Sequence, residues 1–233
     1  MRSIRAVVFD LDGTLIDSVP DIAAALNDCL SVEGLAPLTE SGVAALVGGG
    51  ARELVARALG DTFAVADVDR VFGEFLARYE AEPVRRTRLY PGARELLGHL
   101  RDIGLPLAIC TNKPIGLTRP ILDRLDLTAY FCRVWGGKAG RPLKPDPACL
   151  RTLCVDLGTV PAETLMVGDS HVDVDAARAA GCPSIVVAHG YEQRPRDSLG
   201  ADAVVAGLAE AGREIARWLG QDLAIAASAR SPS

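Results

Sequence analysis

The fold of this chain is decided by the stretch RAVVFDLDGT, residues 5–14. Residues 6–9 are small, β-branched or aromatic, which is typical of a short strand buried on both faces. Asp10 and Asp12 follow directly, so that carboxylates stand where this strand ends. The question for the rest of the chain is whether further buried strands join this one in a sheet.

Five more apolar runs indicate strands, and helical patterns lie between them. The strands are predicted at residues 105–110, 132–135, 164–167, 184–188 and, more weakly, 203–205. Helices are predicted at residues 92–102, 145–157 and 172–180, the last of them closed by Gly181. Strands that alternate with helices predict βαβ units and therefore a parallel sheet covered by helices.

Residues 16–83 break this alternation, because only helical patterns occur there. The helices are predicted at residues 20–30, 40–46, 51–59 and 68–82, with Thr39 and Asp67 as N-caps and Gly34 and Gly60 as stops. The sequence therefore predicts an α/β fold with a Rossmann-like parallel sheet core, residues 1–15 and 84–233. A helical cap domain, residues 16–83, is inserted after the first strand. Residues 224–233 are expected to fray.

Composition narrows the possible functions. The 233 residues are 49% hydrophobic and 24% charged, a normal globular mixture, and the net charge of −5 argues against nucleic-acid binding. No apolar run approaches the ~20 residues of a membrane span, and residues 6–9 are too short a run for a signal peptide. The six cysteines include no CxxC pair and are expected to act as small buried hydrophobes. We expect a cytoplasmic protein that binds neither nucleic acid nor membrane.

Polar side chains gather where the predicted strands end, which is where open parallel sheets bind their ligands. They comprise four carboxylates, one hydroxyl and one ammonium: Asp10, Asp12, Asp169, Asp173, Thr111 and Lys144. Crowded carboxylates repel one another unless a cation joins them, and hard oxygen ligands suit Mg²⁺. Any one of these residues alone is more simply a helix cap or a solvated loop residue. Their coincidence at several strand ends favours a metal site.

Four segments carry a resemblance to a known superfamily. FDLDGTLIDS at residues 9–18 is similar to the first motif of the haloacid dehalogenase superfamily; TNK at 111–113, KP at 144–145, and GDS at 168–170 with Asp173 resemble its other three motifs in order. The resemblance covers nearly the whole chain, including the inserted cap. Within the superfamily the chain is most similar to the bacterial phosphoglycolate phosphatases, through VGGGAR at 47–52, YPG at 90–92, TNKP at 111–114 and HGY at 189–191.

This resemblance implies a magnesium-dependent phosphatase that hydrolyses a small phosphomonoester, with 2-phosphoglycolate as the first choice. Asp10 would be the nucleophile and would become a transient phospho-aspartate. Mg²⁺ would be held by the carboxylates of Asp10 and Asp169 and by the backbone carbonyl of Asp12. Asp12 would also protonate the leaving group and then take a proton from the attacking water.

The remaining roles concern the phosphate and the rest of the substrate. Lys144 would lie beside Asp10 and the phosphate, and Asp173 would orient Lys144 or a metal-bound water. The Thr111 hydroxyl and the Asn112 N–H would bind phosphate oxygens. Arg52 in the cap is the preferred partner for a substrate carboxylate, because a guanidinium binds a carboxylate bidentately.

Three nearby features are given less weight. Lys113 is expected to face solvent, and His171 is expected to be an exposed loop histidine rather than a contact of metal-bound water. The run Gly48-Gly49-Gly50 is equally consistent with an anion-binding turn and with a flexible connection between cap helices.

Several alternatives remain open. Phosphatases of sugar phosphates, nucleotides or pyrophosphate would share this pattern, because cap residues set the substrate. Dehalogenases and phosphonate hydrolases generally lack an equivalent of Asp12, and sugar phosphomutases carry a cap histidine where this chain has Ile22. A phospho-accepting receiver domain would have neither the DxDGT sequence nor the helical insert. The expected partner is a small phosphorylated metabolite, and the expected assembly is a monomer or homodimer.

Overall fold

Eight strands are present in the computed structural model, which describes residues 3–220. They are β1 (Ala6–Phe9), β2 (Ile16–Asp17), β3 (Arg88–Leu89), β4 (Leu107–Pro114), β5 (Arg133–Gly137), β6 (Thr164–Gly168), β7 (Ser184–Val187) and β8 (Ala203–Val205). Six of them form one parallel sheet in the order β5-β4-β1-β6-β7-β8, and β2 pairs with β3 in a separate antiparallel ribbon. The predicted α/β fold is confirmed. The frayed tail predicted at residues 224–233 lies outside the described residues.

The central position of β1 follows from its residues. Val7 and Phe9 point into the larger apolar cluster on one face of the sheet, and Val8 points into a second cluster on the other face. All three side chains are fully buried. Because successive strand residues face opposite sides, a strand that is apolar at every position is stable only where helices cover both faces. The carboxyl end of β1 therefore lies between the ends of β4 and β6.

Nine helices accompany these strands in the described part of the chain. Four lie between β2 and β3: α1 (Val19–Val32), α2 (Glu40–Ala44), α3 (Ala51–Leu59) and α4 (Val65–Ala81). Five follow β3: α5 (Ala93–Asp102), α6 (Ile115–Arg124), α7 (Ala148–Asp156), α8 (His171–Ala180) and α9 (Leu208–Leu219). Helices α6 and α9 were not predicted from the sequence. We refer to α1–α4 as the cap helices.

The predicted helix caps were partly right. Thr39 accepts a hydrogen bond from the Gly42 N–H at 3.1 Å and begins α2, as expected for an N-cap threonine. Asp67 does not cap α4, because this helix already begins at Val65 and Asp67 lies in its first turn. A carboxylate in that turn still interacts favourably with the positive end of the helix dipole.

The β2–β3 ribbon joins the cap helices to the sheet, and it was not predicted. Ile16 pairs with Leu89 and Asp17 with Arg88. Asp21 in α1 anchors the returning chain: its carboxylate accepts the backbone N–H groups of residues 85–87 at 2.8–3.0 Å and the Thr87 hydroxyl at 2.7 Å. The chain thus crosses between cap helices and core at residues 16–17 and 88–89, whereas the domain bounds 15/16 and 83/84 remain a prediction.

No helix within residues 3–220 combines the length and the apolar character needed to cross a bilayer.

Candidate active site

The loops at the carboxyl edge of the sheet open into one cavity of about 660 Å³. The sheet contributes Asp10, Thr111 and Asp169 to its wall, and the loop after β5 contributes Lys144. Residues of the cap helices and of the loop 48–50 line it from the other side. The cavity has the size usual for small-molecule sites. The structure therefore brings together residues that are up to 184 positions apart in the sequence, from Asp10 to Arg194.

Three carboxylates meet at this edge of the sheet, and two of them, Asp10 and Asp169, line the cavity. Asp10, Asp169 and Asp173 each offer an oxygen, and these oxygens all lie within 4.8 Å of one another. Lys144 Nζ lies 2.7 Å from Asp10 Oδ1 and 2.6 Å from Asp173 Oδ1. One ammonium thus pairs with two of the three carboxylates, and when all three are ionised two negative charges are left without a protein counter-charge among these groups.

The ionisation of these groups reflects their burial first and the crowding of like charges second. Burial raises the pKa of Asp10 to about 7, which Lys144 opposes and Asp173 reinforces. Burial, together with Asp173 and Asp10, raises the pKa of Asp169 well above its usual value. Burial alone would lower the pKa of Lys144, but Asp10 and Asp173 raise it, so the ammonium stays charged. A divalent cation among these oxygens would balance the charge, and a set of carboxylate oxygens suits Mg²⁺.

Asp169 is held so that its carboxylate cannot turn away. Its two oxygens accept the Thr14 hydroxyl at 3.1 Å and the Tyr191 N–H at 2.7 Å. Two glycines make room for it. A Cβ atom on Gly13, where φ is +86°, would lie 2.5 Å from Asp169 Oδ2, and one on Gly190 would lie 2.2 Å from Asp169 Cβ. The two hydrogen bonds therefore orient the carboxylate, and the two glycines leave the space that it occupies.

Asp173 is positioned by the start of α8. Its Oδ2 accepts the N–H and the hydroxyl of Ser170 at 3.1 and 2.7 Å in a capping box, and its Oδ1 faces Lys144. Asp173 therefore contacts Lys144 directly, in the place where the sequence predicted an orienting role.

Asn112 joins three segments around the predicted phosphate site. Its amide donates to the carbonyls of Gly48 and Lys144, both at 2.9 Å, and its Oδ1 accepts the Lys144 N–H at 2.8 Å. The neighbouring Thr111 side chain is 2% exposed and lines the cavity. The Gly48–Gly50 loop thus packs directly on the loop that carries Asn112. That contact makes the loop part of the cavity wall.

Asp12 lies in the cavity with partners of its own. Its carboxylate accepts the Ser18 hydroxyl at 2.5 Å and forms an ion pair with Lys113, whose Nζ is 3.0 and 3.2 Å from its two oxygens. The Lys113 ammonium also donates to the Tyr79 hydroxyl of α4 at 2.8 Å. The expectation that Lys113 faces solvent was wrong, because it is 6% exposed. A metal contact from Asp12 would have to use its backbone carbonyl, which stays a prediction.

Two further residues differ from expectation. Arg52 is paired with Asp69 at 2.7 Å on the exposed surface and is absent from the cavity wall, so its position does not support a role in binding substrate. Arg57, five residues further along α3, lines the cavity instead. His171 is only partly exposed, and its Nδ1 lies 2.8 Å from Oε2 of the buried Glu192. Glu192 and Tyr191 were not recognised as cavity residues from the sequence.

Comparisons with known proteins agree with this geometry. The sequence-family model described as haloacid dehalogenase-like hydrolase matches residues 4–181 of this chain. A phosphoglycolate phosphatase of Rhodospirillum rubrum is 44% identical over 227 residues, 93% of this chain and 91% of that protein. A phosphoglycolate phosphatase of Chromobacterium violaceum is 42% identical, over 90% of this chain and 96% of that protein. A solved structure described as a "predicted phosphoglycolate phosphatase", from Haemophilus somnus 129pt, superposes with a TM-score of 0.86 at 30% identity, covering 92% of this chain and 99% of that one.

The chain belongs to the haloacid dehalogenase-like hydrolases. Its parallel sheet with flanking helices superposes over nearly its whole length on that solved structure. More particularly, it is a phosphoric monoester hydrolase similar to bacterial phosphoglycolate phosphatases.

Proposed function

We propose that this protein is a magnesium-dependent phosphatase that hydrolyses 2-phosphoglycolate through a phospho-aspartate on Asp10. The observation that carries the proposal is the surplus of negative charge around Asp10, where three buried carboxylates gather and one ammonium pairs with two of them. A carboxylate can attack a phosphate dianion only where cations cancel their repulsion. The same surplus that would bind a divalent cation therefore surrounds the residue that needs one.

Mg²⁺ would be held by the carboxylates of Asp10 and Asp169 and by the backbone carbonyl of Asp12. When bound, it would neutralise charge on the transferring phosphoryl group. Lys144, fixed by Asp10 and Asp173, would supply the second positive charge beside the nucleophile. The Thr111 hydroxyl and the Asn112 N–H would hold phosphate oxygens in line for attack.

The first transfer forms a bond between Asp10 and phosphorus and breaks the ester P–O bond. Asp12 must take up a proton as the substrate binds, and it gives this proton to the departing oxygen, so that glycolate leaves as the alcohol. In the second step Asp12 takes a proton from water, the water oxygen bonds to phosphorus, and the acyl-phosphate bond breaks to release inorganic phosphate. The Ser18 hydroxyl, 2.5 Å from Asp12, keeps this carboxyl in place for both proton transfers.

The choice of 2-phosphoglycolate rests on the relatives of 40–44% identity that bear the name phosphoglycolate phosphatase. Sugar phosphates, nucleotides and pyrophosphate remain the alternative substrates. We infer action on a small metabolite in the cytoplasm by a monomer or homodimer. The non-enzymatic alternative is a receiver-type signalling domain, which would be phosphorylated once and would not turn over phosphate esters.

A panel of esters tests the proposal. The purified protein is freed of metal with EDTA, and phosphate release is measured with and without Mg²⁺ for 2-phosphoglycolate, glucose 6-phosphate, AMP and pyrophosphate. We expect many turnovers per protein, restored by Mg²⁺, with the highest kcat/KM for 2-phosphoglycolate.

Asp10→Asn should abolish turnover while the protein stays folded, and Asp61→Asn, an exposed loop carboxyl, should leave it unchanged. Hydrolysis that persists in EDTA, or in Asp10→Asn, would contradict the mechanism.

A further inference from the structure

A second buried lysine lies in the cavity, and the mechanism above does not use it. Lys113 and Lys144 are 6% and 4% exposed, and both line the cavity. Lys144 serves the nucleophile Asp10, whereas Lys113 lies against Asp12, the residue that meets the leaving group. Burying an ammonium costs several kcal/mol unless the site repays it. The burial of Lys113 therefore indicates a role that the mechanism above does not include.

Orienting Asp12 is a weak explanation for this lysine. The Ser18 hydroxyl already holds Asp12 Oδ1 at 2.5 Å, and a neutral hydroxyl does so without burying a second charge. The Lys113 ammonium has a second anchor in the Tyr79 hydroxyl at 2.8 Å, and it lies 4.5 Å from the centre of the Tyr79 ring. The ammonium is thus fixed from two sides, as in a preorganised binding site.

The distance between Lys113 and the reacting ester oxygen limits what the ammonium can bind. The ester oxygen must come within hydrogen-bond reach of Asp12, about 3 Å, to receive its proton. Lys113 Nζ is itself 3.0 and 3.2 Å from the Asp12 oxygens. A carboxylate on the carbon that bears the ester oxygen lies three bonds from that oxygen, again about 3 Å. Such a carboxylate can reach Lys113 while the ester oxygen faces Asp12.

The surroundings favour a charged ligand at this point. Phe75 and Tyr79 of α4 are 2% exposed, their rings lie 5.7 Å apart, and both line the cavity. Charge pairing beside such apolar groups is stronger than in water. Asp12 and the neighbouring Tyr79 hydroxyl outweigh burial and raise the pKa of Lys113, which keeps the ammonium charged.

We propose that Lys113 is the specificity-determining residue that binds the substrate carboxylate, and that it selects phosphate esters of 2-hydroxy acids over esters without an adjacent carboxylate. The inference rests on the proposed function and extends it from one compound to a chemical class. Because Tyr79 belongs to a cap helix, the cap helices complete this carboxylate site by fixing the ammonium. Arg52, paired with Asp69 on the surface, takes no part in it.

The test compares 2-phosphoglycolate with ethyl phosphate, which has the same carbon chain without the carboxylate. In the wild type, kcat/KM should favour 2-phosphoglycolate. In Lys113→Met this preference should fall about 10- to 100-fold, mainly through KM, which is the range expected for one lost charged hydrogen bond. Lys138→Met, at an exposed lysine outside the cavity, is the matched control and should keep the wild-type preference.

Tyr79→Phe supplies a second measurement that leaves both charges of the ion pair in place. It should lower the preference in the same direction by a smaller factor, and it decides the question if Lys113→Met does not fold. Equal losses for both esters in these variants would show that Lys113 only positions Asp12 and would overturn the inference. A wild type that hydrolyses esters without preferring 2-phosphoglycolate would also overturn it, while leaving a phosphatase. A protein that hydrolyses no ester would refute the proposed function itself.

Discussion

Replacing Asp10 by asparagine should change how the stability of the metal-free protein depends on pH. The pKa of Asp10 is about 7 in the folded protein, against a usual value of 3.8. The folded state therefore binds this proton more tightly than the unfolded state does. Below about pH 4 the group is neutral in both states and costs nothing. As the pH rises from about 4 to about 7, the unfolded chain gives up this proton while the folded protein keeps it, so the free energy of unfolding falls until the buried carboxylate itself ionises.

The expected size of this effect follows from the pKa difference. About three pKa units, at about 1.4 kcal/mol each, correspond to roughly 4 kcal/mol of stability lost by the wild type between pH 4 and pH 8. The side chain is 10% exposed, so solvent screens the effect little. The asparagine in the Asp10→Asn variant cannot ionise, so the variant does not lose this stability as the pH rises. Its stability relative to the wild type should therefore rise with pH by up to about 4 kcal/mol.

Urea unfolding in EDTA at several pH values between 4 and 8 measures the difference. The slope with pH is the test, because groups remote from Asp10 contribute equally to both proteins. Asp169 does not cancel, but losing the Asp10 charge lowers its pKa and so acts in the same direction. Asp61→Asn is the matched control and should parallel the wild type. Saturating Mg²⁺ should favour the ionised carboxylate and flatten the slope. Parallel curves for Asp10→Asn and wild type in EDTA would refute the argument that uncompensated charge surrounds Asp10.

Two further changes test how the site and the cap helices are held. Gly190→Ala, whose Cβ would lie 2.2 Å from Asp169 Cβ, should displace this carboxylate and lower Mg²⁺-activated kcat/KM at least about 10-fold. Gly98→Ala, a helical glycine with open space around it, is the control, and equal activity in the two variants would contradict the packing argument. Asp21→Asn should lower the free energy of unfolding by about 3 kcal/mol in urea titrations, because charged hydrogen bonds to residues 85–87 are weakened. Asp28→Asn, exposed on the same helix, should cost far less, and similar losses would count against an anchoring role for Asp21.

The acidic cluster was largely predictable because its members follow strands directly. Asp10 and Asp169 occupy the ends of β1 and β6, and parallel strands bring their carboxyl ends to one edge. The sequence could place these residues at that edge without coordinates. It could not show that Asp173 and Asp10 share one ammonium, since that depends on the path of the loop that carries Lys144.

The burial of Lys113 and the exposure of Arg52 could not be predicted from the sequence. Both are cations near predicted site segments, and local sequence gives no measure of which one is buried. Lys113 is buried because β4 continues to Pro114 and α4 packs over it with Tyr79, while Arg52 lies on the solvent side of α3 beside Asp69. The β2–β3 ribbon escaped prediction for a similar reason. Two-residue strands have no periodicity, and only their pairing across the 70 residues between Asp17 and Arg88 defines them.

By itself, the sequence determined that this chain is an α/β protein with a helical insert and an acidic edge, because hydrophobic periodicity and strand-end chemistry are local properties. The tertiary structure alone decided which charges meet in the cavity and which reach solvent. Pairing between distant side chains depends on how the cap helices pack on the sheet, and no local pattern encodes that packing.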